Sequence, residues 1–221
     1  MSSGIFPTCV LLSGGLDSAV LLRRSLQRGR PVVPLYVRCG FVWEAAELLW
    51  LRRLLRALRT PSLRPLQVID LPMRPVYGPH WSFTGRHVPG PQSADAAVYL
   101  PGRNALLLTA AAIVAAREGA SSIALGVLRG NPFGDATPRF FTTLSSAVSQ
   151  ALRRPIRIVA PLRRLNKAQL IRSSAHTPLA LTFSCLRPQR GGSHCGRCNK
   201  CAERRLAFRL AGVADPTSYV R

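Results

Sequence analysis

Four of the chain's six cysteines, Cys185, Cys195, Cys198 and Cys201, crowd into one short stretch near its end. Three thiols at CxxC spacing and a fourth returning from a loop can surround one tetrahedral ion, and Gly191, Gly192 and Gly196 free the backbone for the turns this needs. Four thiolates with no open position read as structural Zn2+, which supplies folding energy to a segment with little core of its own. An iron–sulfur cluster is the competing occupant, disfavoured by the distant Cys185 and the lack of a nearby Cys-Pro. His194 is expected to face solvent, and Cys9 and Cys39 have no partner pattern.

The second constellation is the run Leu11-Leu12-Ser13-Gly14-Gly15-Leu16-Asp17-Ser18, which passes from an apolar strand through a glycine pair into a helix. Successive free amides at such a turn form a nest for an anion at the positive end of the helix dipole. Ser13 and Ser18 can donate to a phosphate, and Asp17 can hold Mg2+ against it, so the run is expected to bind phosphates. Neither GxxxxGK[ST] nor GxGxxG is present here.

These residues need a scaffold. Apolar runs at Cys9 to Leu12, Pro31 to Val37, Leu66 to Asp70, Ser122 to Val127 and Ile156 to Ala160 predict strands buried on both faces. Between them, Leu48, Leu51, Leu54, Leu55 and Leu58 stripe a helix from Glu44 to Leu58, with Arg52, Arg53, Arg56 and Arg59 off the stripe. Helices are also predicted over Arg103 to Arg117, along the stripe Phe140, Phe141, Leu144, Val148 and Leu152, and from an Asn166/Gln169 capping box through Ser174. Alternation of this kind predicts an α/β fold, a parallel sheet wrapped by helices. Pro72 to Ala94 is expected as a mobile loop over the site. The division predicted is a nucleotide-binding domain over 1–180 and a zinc-binding segment over 181–221.

Composition narrows the setting. At 221 residues and 47% apolar the chain can bury one sizeable core, and its cysteines are too few for a disulfide-dense secreted scaffold. The opening Met1-Ser2-Ser3-Gly4-Ile5-Phe6 has no basic region and the apolar run from Ala105 to Ala116 is too short for a membrane span, so a cytoplasmic protein without a leader is expected. Lys plus Arg number 31 against 9 acids, a net +22, yet only Lys167 and Lys200 are lysines. That charge suits anionic partners, nucleic acid among them, without specifying a site.

The SGGLDS loop resembles the SGGxDS PP-loop of the ATP pyrophosphatases, which transfer AMP to a substrate oxygen and release pyrophosphate. With the cysteine spacing, Pro101-Gly102-Arg103-Asn104 and the stretch Pro161 to Ala168, the chain is similar over most of its length to the 7-cyano-7-deazaguanine (preQ0) synthase family. The resemblance implies a Rossmann-like PP-loop domain and conversion of 7-carboxy-7-deazaguanine, ATP and ammonia to the nitrile. It also implies Arg103 and Lys167 as catalytic partners of Asp17, and Asn104, Asp135 and Arg139 as substrate contacts. Where the family has a YPDCR-like string the chain reads Phe133-Gly134-Asp135-Ala136-Thr137-Pro138-Arg139, matching only at Asp135 and Arg139. A homodimer is the expected assembly, with Trp43 and Trp50 as candidate contacts.

Three rivals stand beside this reading. A paralogous ligase would stop at the amide or join the deazapurine to a protein amine. A PP-loop enzyme acting on transfer RNA would need a reactive cysteine, for which Cys39 is the candidate. A zinc-ribbon nucleic-acid module would use Arg187, Arg190, Arg197, Arg204 and Arg205 but leaves the SGGLDS loop without a role.

Overall fold

A computed structural model describes residues 6–220. The expectation of no leader rests on Met1 to Phe6, of which residues 1–5 lie outside the described residues. Among the described residues no helix is long and apolar enough to cross a membrane.

Five parallel strands, β1 (Thr8–Leu11), β2 (Val32–Arg38), β3 (Gln67–Asp70), β4 (Ser122–Ala124) and β5 (Arg157–Val159), form one sheet in the order β3-β2-β1-β4-β5. Successive residues of a strand point to opposite faces, and the two cores follow that alternation. Cys9, Val33, Leu35, Val37 and Ile123 pack against α5 (Arg103–Arg117) and α6 (Pro138–Leu152). Val10, Val32, Tyr36 and Ala124 pack on the other face against α1 (Leu16–Gln27), α2 (Glu44–Ala57), α7 (Lys167–Arg172) and α8 (Asn199–Ala211). Leu51 and Leu54 are fully buried on α2. Each such side chain contributes about 1.5–3 kcal/mol, enough to fix which face of an arginine-rich helix turns inward.

Several elements differ from their sequence signals. β3 is an edge strand, half exposed rather than buried on both faces, with Val68 turned to solvent. β4 stops at Ala124, short of Val127. The capping box at Asn166 and Gln169 forms in both directions, but its helix ends at Arg172. Pro72 to Ala94 is folded rather than loose: it contains α3 (Arg74–Tyr77) and α4 (Trp81–Thr84), and Asn199 ties it down, donating from its backbone to Pro89 O at 2.9 Å and from its amide to Ser93 O at 2.9 Å.

Trp43 and Trp50 do not serve as free surface. Trp43 is buried, and the Trp50 indole donates to Gly192 O at 2.7 Å, fastening the cysteine segment to α2. The same segment is sewn to the glycine loop by Phe183 N donating to Gly14 O at 2.8 Å.

Candidate active site

The sheet order places the topological switch between β1 and β4, where connections leave in opposite directions and open a crevice beyond the carboxyl ends of the strands. A cavity of about 410 Å3 lies there, lined by Ser13, Gly15, Asp17 and Ser18 of the glycine loop. Gly14 holds φ +74, which a side chain would resist, and Gly15 is the N-cap residue of α1. Inside the loop Ser18 Oγ donates to Gly15 O at 3.1 Å and Gly15 N donates to Ser13 Oγ at 3.4 Å, which sets the turn.

The N-terminal residues of four helices line this one cavity: Asp17 on α1, Arg103 and Asn104 on α5, Lys167 on α7 and Lys200 on α8. Helix N-termini carry unsatisfied N–H groups and partial positive charge, and three of these add a cationic side chain. The arrangement suits a polyanion. Lys167 Nζ donates to both Asp17 oxygens at 2.8 and 2.7 Å and lies 3.4 Å from Glu203, which in turn pairs with Lys200 at 2.5 Å. Burial disfavours the Lys167 charge, but the Asp17 and Glu203 carboxylates outweigh it and its pKa moves up. Burial acts on Glu203 in the opposite sense to Lys167 and Lys200, and the two lysines prevail, holding its pKa down.

Close approach at this crevice depends on Gly126, just past β4. A Cβ there would stand 3.1 Å from the Asp17 backbone carbon and Cβ and 3.2 Å from Ser18 N, so a side chain would force the loop after β4 and the start of α1 apart by a few tenths of an ångström. Gly126→Ala is expected to destabilise the fold by about 1–3 kcal/mol through overpacking. Thermal melts check this, with Gly134→Ala, where nothing lies within 4 Å, as the silent control.

Aromatic rings also line the cavity. Phe41 stacks on Trp43 with centroids 4.8 Å apart and Trp43 on Trp81 at 5.5 Å, and the lining residue Phe133 stacks on Tyr99 at 4.1 Å. Trp81 is held by its indole N–H donating to Ala97 O at 3.0 Å.

Of the residues expected to meet substrate, Asn104 lines the cavity while Asp135 and Arg139 do not. Asp135 is buried beneath the start of α5, where Oδ2 accepts from Asn104 N at 2.9 Å and its backbone oxygen from Asn104 Nδ2 at 3.1 Å. Arg139 is exposed on the first turn of α6, since the inward stripe of that helix takes Phe141 instead. Of the eight residues from Leu11 to Ser18, all but Gly14 line the cavity. Sequence reasoning missed Lys200 and Glu203 as site residues. The signal was present: both lysines of an arginine-dominated chain reach this cavity.

Behind the site the sulfurs of Cys185, Cys195, Cys198 and Cys201 all lie within 4.8 Å of one another and are buried. Cys195–Cys201 and Cys185–Cys198 are each 4.0 Å apart, close to the edge of about 3.8 Å of a tetrahedron with 2.3 Å metal–sulfur bonds. Backbone N–H groups of Arg187 and Cys195 donate to Cys185 Sγ, that of Leu186 to Cys198 Sγ and that of Arg197 to Cys195 Sγ, an environment that favours thiolates. This donor set fits a metal ion. His194 is not solvent-facing as expected: it is buried between the Phe183 and Tyr219 rings, and Nε2 accepts from Ser184 N at 3.1 Å. Burial and the nearby Arg204 hold its pKa at about 4, so the ring is neutral.

Two of the five arginines of the nucleic-acid reading are engaged internally. Arg204 is buried and donates to Thr217, Thr182, Ser184 and Leu179, and Arg205 lies over the Tyr219 ring at 4.0 Å.

A family model described as "Queuosine biosynthesis protein QueC" matches residues 8–212. The chain is 35% identical to a 7-cyano-7-deazaguanine synthase of Anaeromyxobacter sp. strain Fw109-5, covering 96% of this chain and 95% of that protein. It is 32% identical to the protein of the same name from Myxococcus xanthus strain DK1622, over 95% and 96%. A solved structure described as a predicted subunit of tRNA methyltransferase from Methanocaldococcus jannaschii shares the fold, with a TM-score of 0.51 and 17% identity over 98% of this chain and 92% of that one. A glycine loop at a sheet switch point, a four-cysteine cluster behind it and relatives aligned almost end to end converge on one assignment: the chain belongs to the QueC family.

Proposed function

We propose that the protein converts 7-carboxy-7-deazaguanine and ammonia to 7-cyano-7-deazaguanine at the expense of ATP, through adenylated intermediates. The carrying observation is that one cavity is lined both by the N-terminal residues of four helices, Asp17, Arg103, Lys167 and Lys200 among them, and by stacked aromatic rings. The helix starts and their cations suit a triphosphate and the rings suit a flat heteroaromatic acceptor. The names of the full-length relatives supply the acceptor class.

In this reading the Leu11 to Ser18 loop binds ATP, its amides and the Ser13 and Ser18 hydroxyls meeting the departing pyrophosphate. Arg103 and Lys167 counter phosphate charge, Lys167 exchanging part of its contact with Asp17 for phosphate oxygens. Mg2+, held by the Asp17 carboxylate, would neutralise charge on the phosphates. Asn104 contacts the acceptor, and Asp135 acts through it by fixing the start of α5. Cys185, Cys195, Cys198 and Cys201 hold Zn2+ in a structural role and set the position of α8. Residues 1–180 then form the nucleotide-binding unit and 181–221 the zinc-binding one, with Lys200 and Glu203 reaching from the second into the site of the first.

The test incubates purified protein with 7-carboxy-7-deazaguanine, ATP, Mg2+ and ammonium and separates products by mass spectrometry. Nitrile with AMP is expected; amide alone would indicate the ligase that stops early, and ADP would overturn both.

A thiolate mechanism on transfer RNA finds no support in Cys39. Its thiol lines the cavity but is pushed up to about 12 by burial and by Glu44, against a smaller opposing effect of Arg103. It donates to Val37 O at 3.6 Å. Cys39→Ala is expected to keep nitrile formation within about 3-fold of wild type, whereas a thiolate nucleophile would lose at least about 10³-fold. Steady-state rates decide between them.

A further inference from the structure

The proposed reaction strips every hydrogen from the ammonia nitrogen. Ammonia attacks the acyl adenylate, the C–N bond forms, AMP leaves with the C–O electron pair, and one N–H proton must go. The amide oxygen then attacks the α-phosphorus of a second ATP, pyrophosphate leaves, and a second proton goes. Finally the remaining C–O bond breaks as C≡N forms, releasing AMP and the last proton. Each step is faster with a base beside the nitrogen.

The chain has 9 acids, and the geometry assigns most of those near the cavity to other tasks. Asp17 and Glu203 are ion-paired with the two lysines. Glu44 accepts from the backbone N–H groups of Cys39 and Gly40, and Asp135 caps α5; neither lines the cavity. Glu47 lines it, and among the described residues it has no ion-pair partner. Its place is telling. Trp43 of the aromatic wall lies one helical turn before it on the same face of α2, and its own backbone oxygen packs 3.5 Å from where a Cβ on Gly14 would stand. Glu47 thus lines the cavity that the rings and the glycine loop share, with Oε2 accepting from the Tyr36 hydroxyl at 2.7 Å.

We propose that Glu47, oriented by Tyr36, is the base that takes up the protons released from the reacting nitrogen. The assignment rests on the nitrile-synthase reading above. The groups facing Glu47 are Tyr36 from β2, Trp43 and Glu44 from α2 and Arg103 from α5. Burial raises its pKa to about 8, with Glu44 adding to the rise and Tyr36, Arg103 and Trp43 opposing it. A carboxylate tuned to that range is a far stronger base than an exposed one.

The test separates the two halves of the chemistry. Carboxylate-dependent exchange of labelled pyrophosphate into ATP reports the first adenylation, which releases no nitrogen proton; ammonia-dependent amide and nitrile formation reports the rest. Glu47→Gln should lower exchange by less than about 3-fold and product formation by about 10²-fold or more. In wild type, product formation should rise with pH through about 8. Tyr36→Phe, which removes a contact that lowers the Glu47 pKa, should move that limb to higher pH, a shift that a merely structural tyrosine would not produce. Thermal melts confirm that both variants fold, and the Tyr36→Phe profile decides should the glutamine variant not. Product formation by Glu47→Gln within a few-fold of wild type, or a limb unmoved in Tyr36→Phe, overturns the assignment while leaving the function intact. No carboxylate-dependent exchange in wild type overturns the function, and the role of Glu47 with it.

Discussion

Asp17→Asn is expected to lower nitrile formation by about 10³-fold or more while leaving the melting temperature within a few degrees of wild type. The carboxylate sits in the first turn of α1 with both oxygens on the Lys167 ammonium. Asparagine keeps the shape and one acceptor oxygen, so the helix start and the loop behind it survive. What is lost is the negative charge that holds Mg2+ in the proposed reaction and that positions Lys167. The pair is about one-quarter exposed on both sides, so water moderates the stability cost in a way that it cannot moderate the catalytic one. Lys167→Met should also impair turnover, and the double variant should be little worse than Asp17→Asn alone, because residues acting as a unit are strongly non-additive. A pyrophosphate-release assay with thermal melts on the same preparations checks this. More than a tenth of wild-type activity in Asp17→Asn would remove the residue from the reacting machinery.

Cys198→Ser is expected to fail differently, losing bound zinc, stability and activity together. Cys198 is the N-cap residue of α8, and its sulfur lies 4.0 Å from that of Cys185. Four thiolates this close repel one another, and a divalent cation among them offsets that repulsion. Structural zinc in small domains contributes about 10–16 kcal/mol, as much as the whole stability of a typical domain. Losing one ligand should therefore lower the melting temperature by about 10 °C or more. The consequence reaches the active site because α8 carries Asn199, which pins the segment around α4, and Lys200 and Glu203, which face Lys167. Metal analysis, thermal melts and turnover on one preparation read all three. A variant that keeps its fold and activity with the metal gone would show that the cluster is dispensable for positioning α8.

Much of this was legible in the chain itself, for identifiable reasons. A strand that must be buried on both faces shows as an unbroken apolar run, which is why β1 and β2 were found nearly to the residue. The Asn166/Gln169 box is local hydrogen-bonding chemistry, which spacing reveals directly. Edge position is not local, and β3 reads as a core strand until its neighbours are known.

The sequence by itself determined the glycine loop, the thiol cluster and the alternation of strands with helices. Each is written in residues within a few positions of one another, whose chemistry does not depend on what folds beside them. Only the tertiary structure decided that Lys167 faces Asp17 across 150 positions, that Lys200 and Glu203 join them, and that Arg204 and His194 are internal. It also brought Glu47 into the cavity lining with its carboxyl on Tyr36 and turned Asp135 into a cap for α5. Those outcomes depend on which helix N-termini the sheet order brings to one crevice, and charge or polarity at a single position carries no record of the partner it will meet.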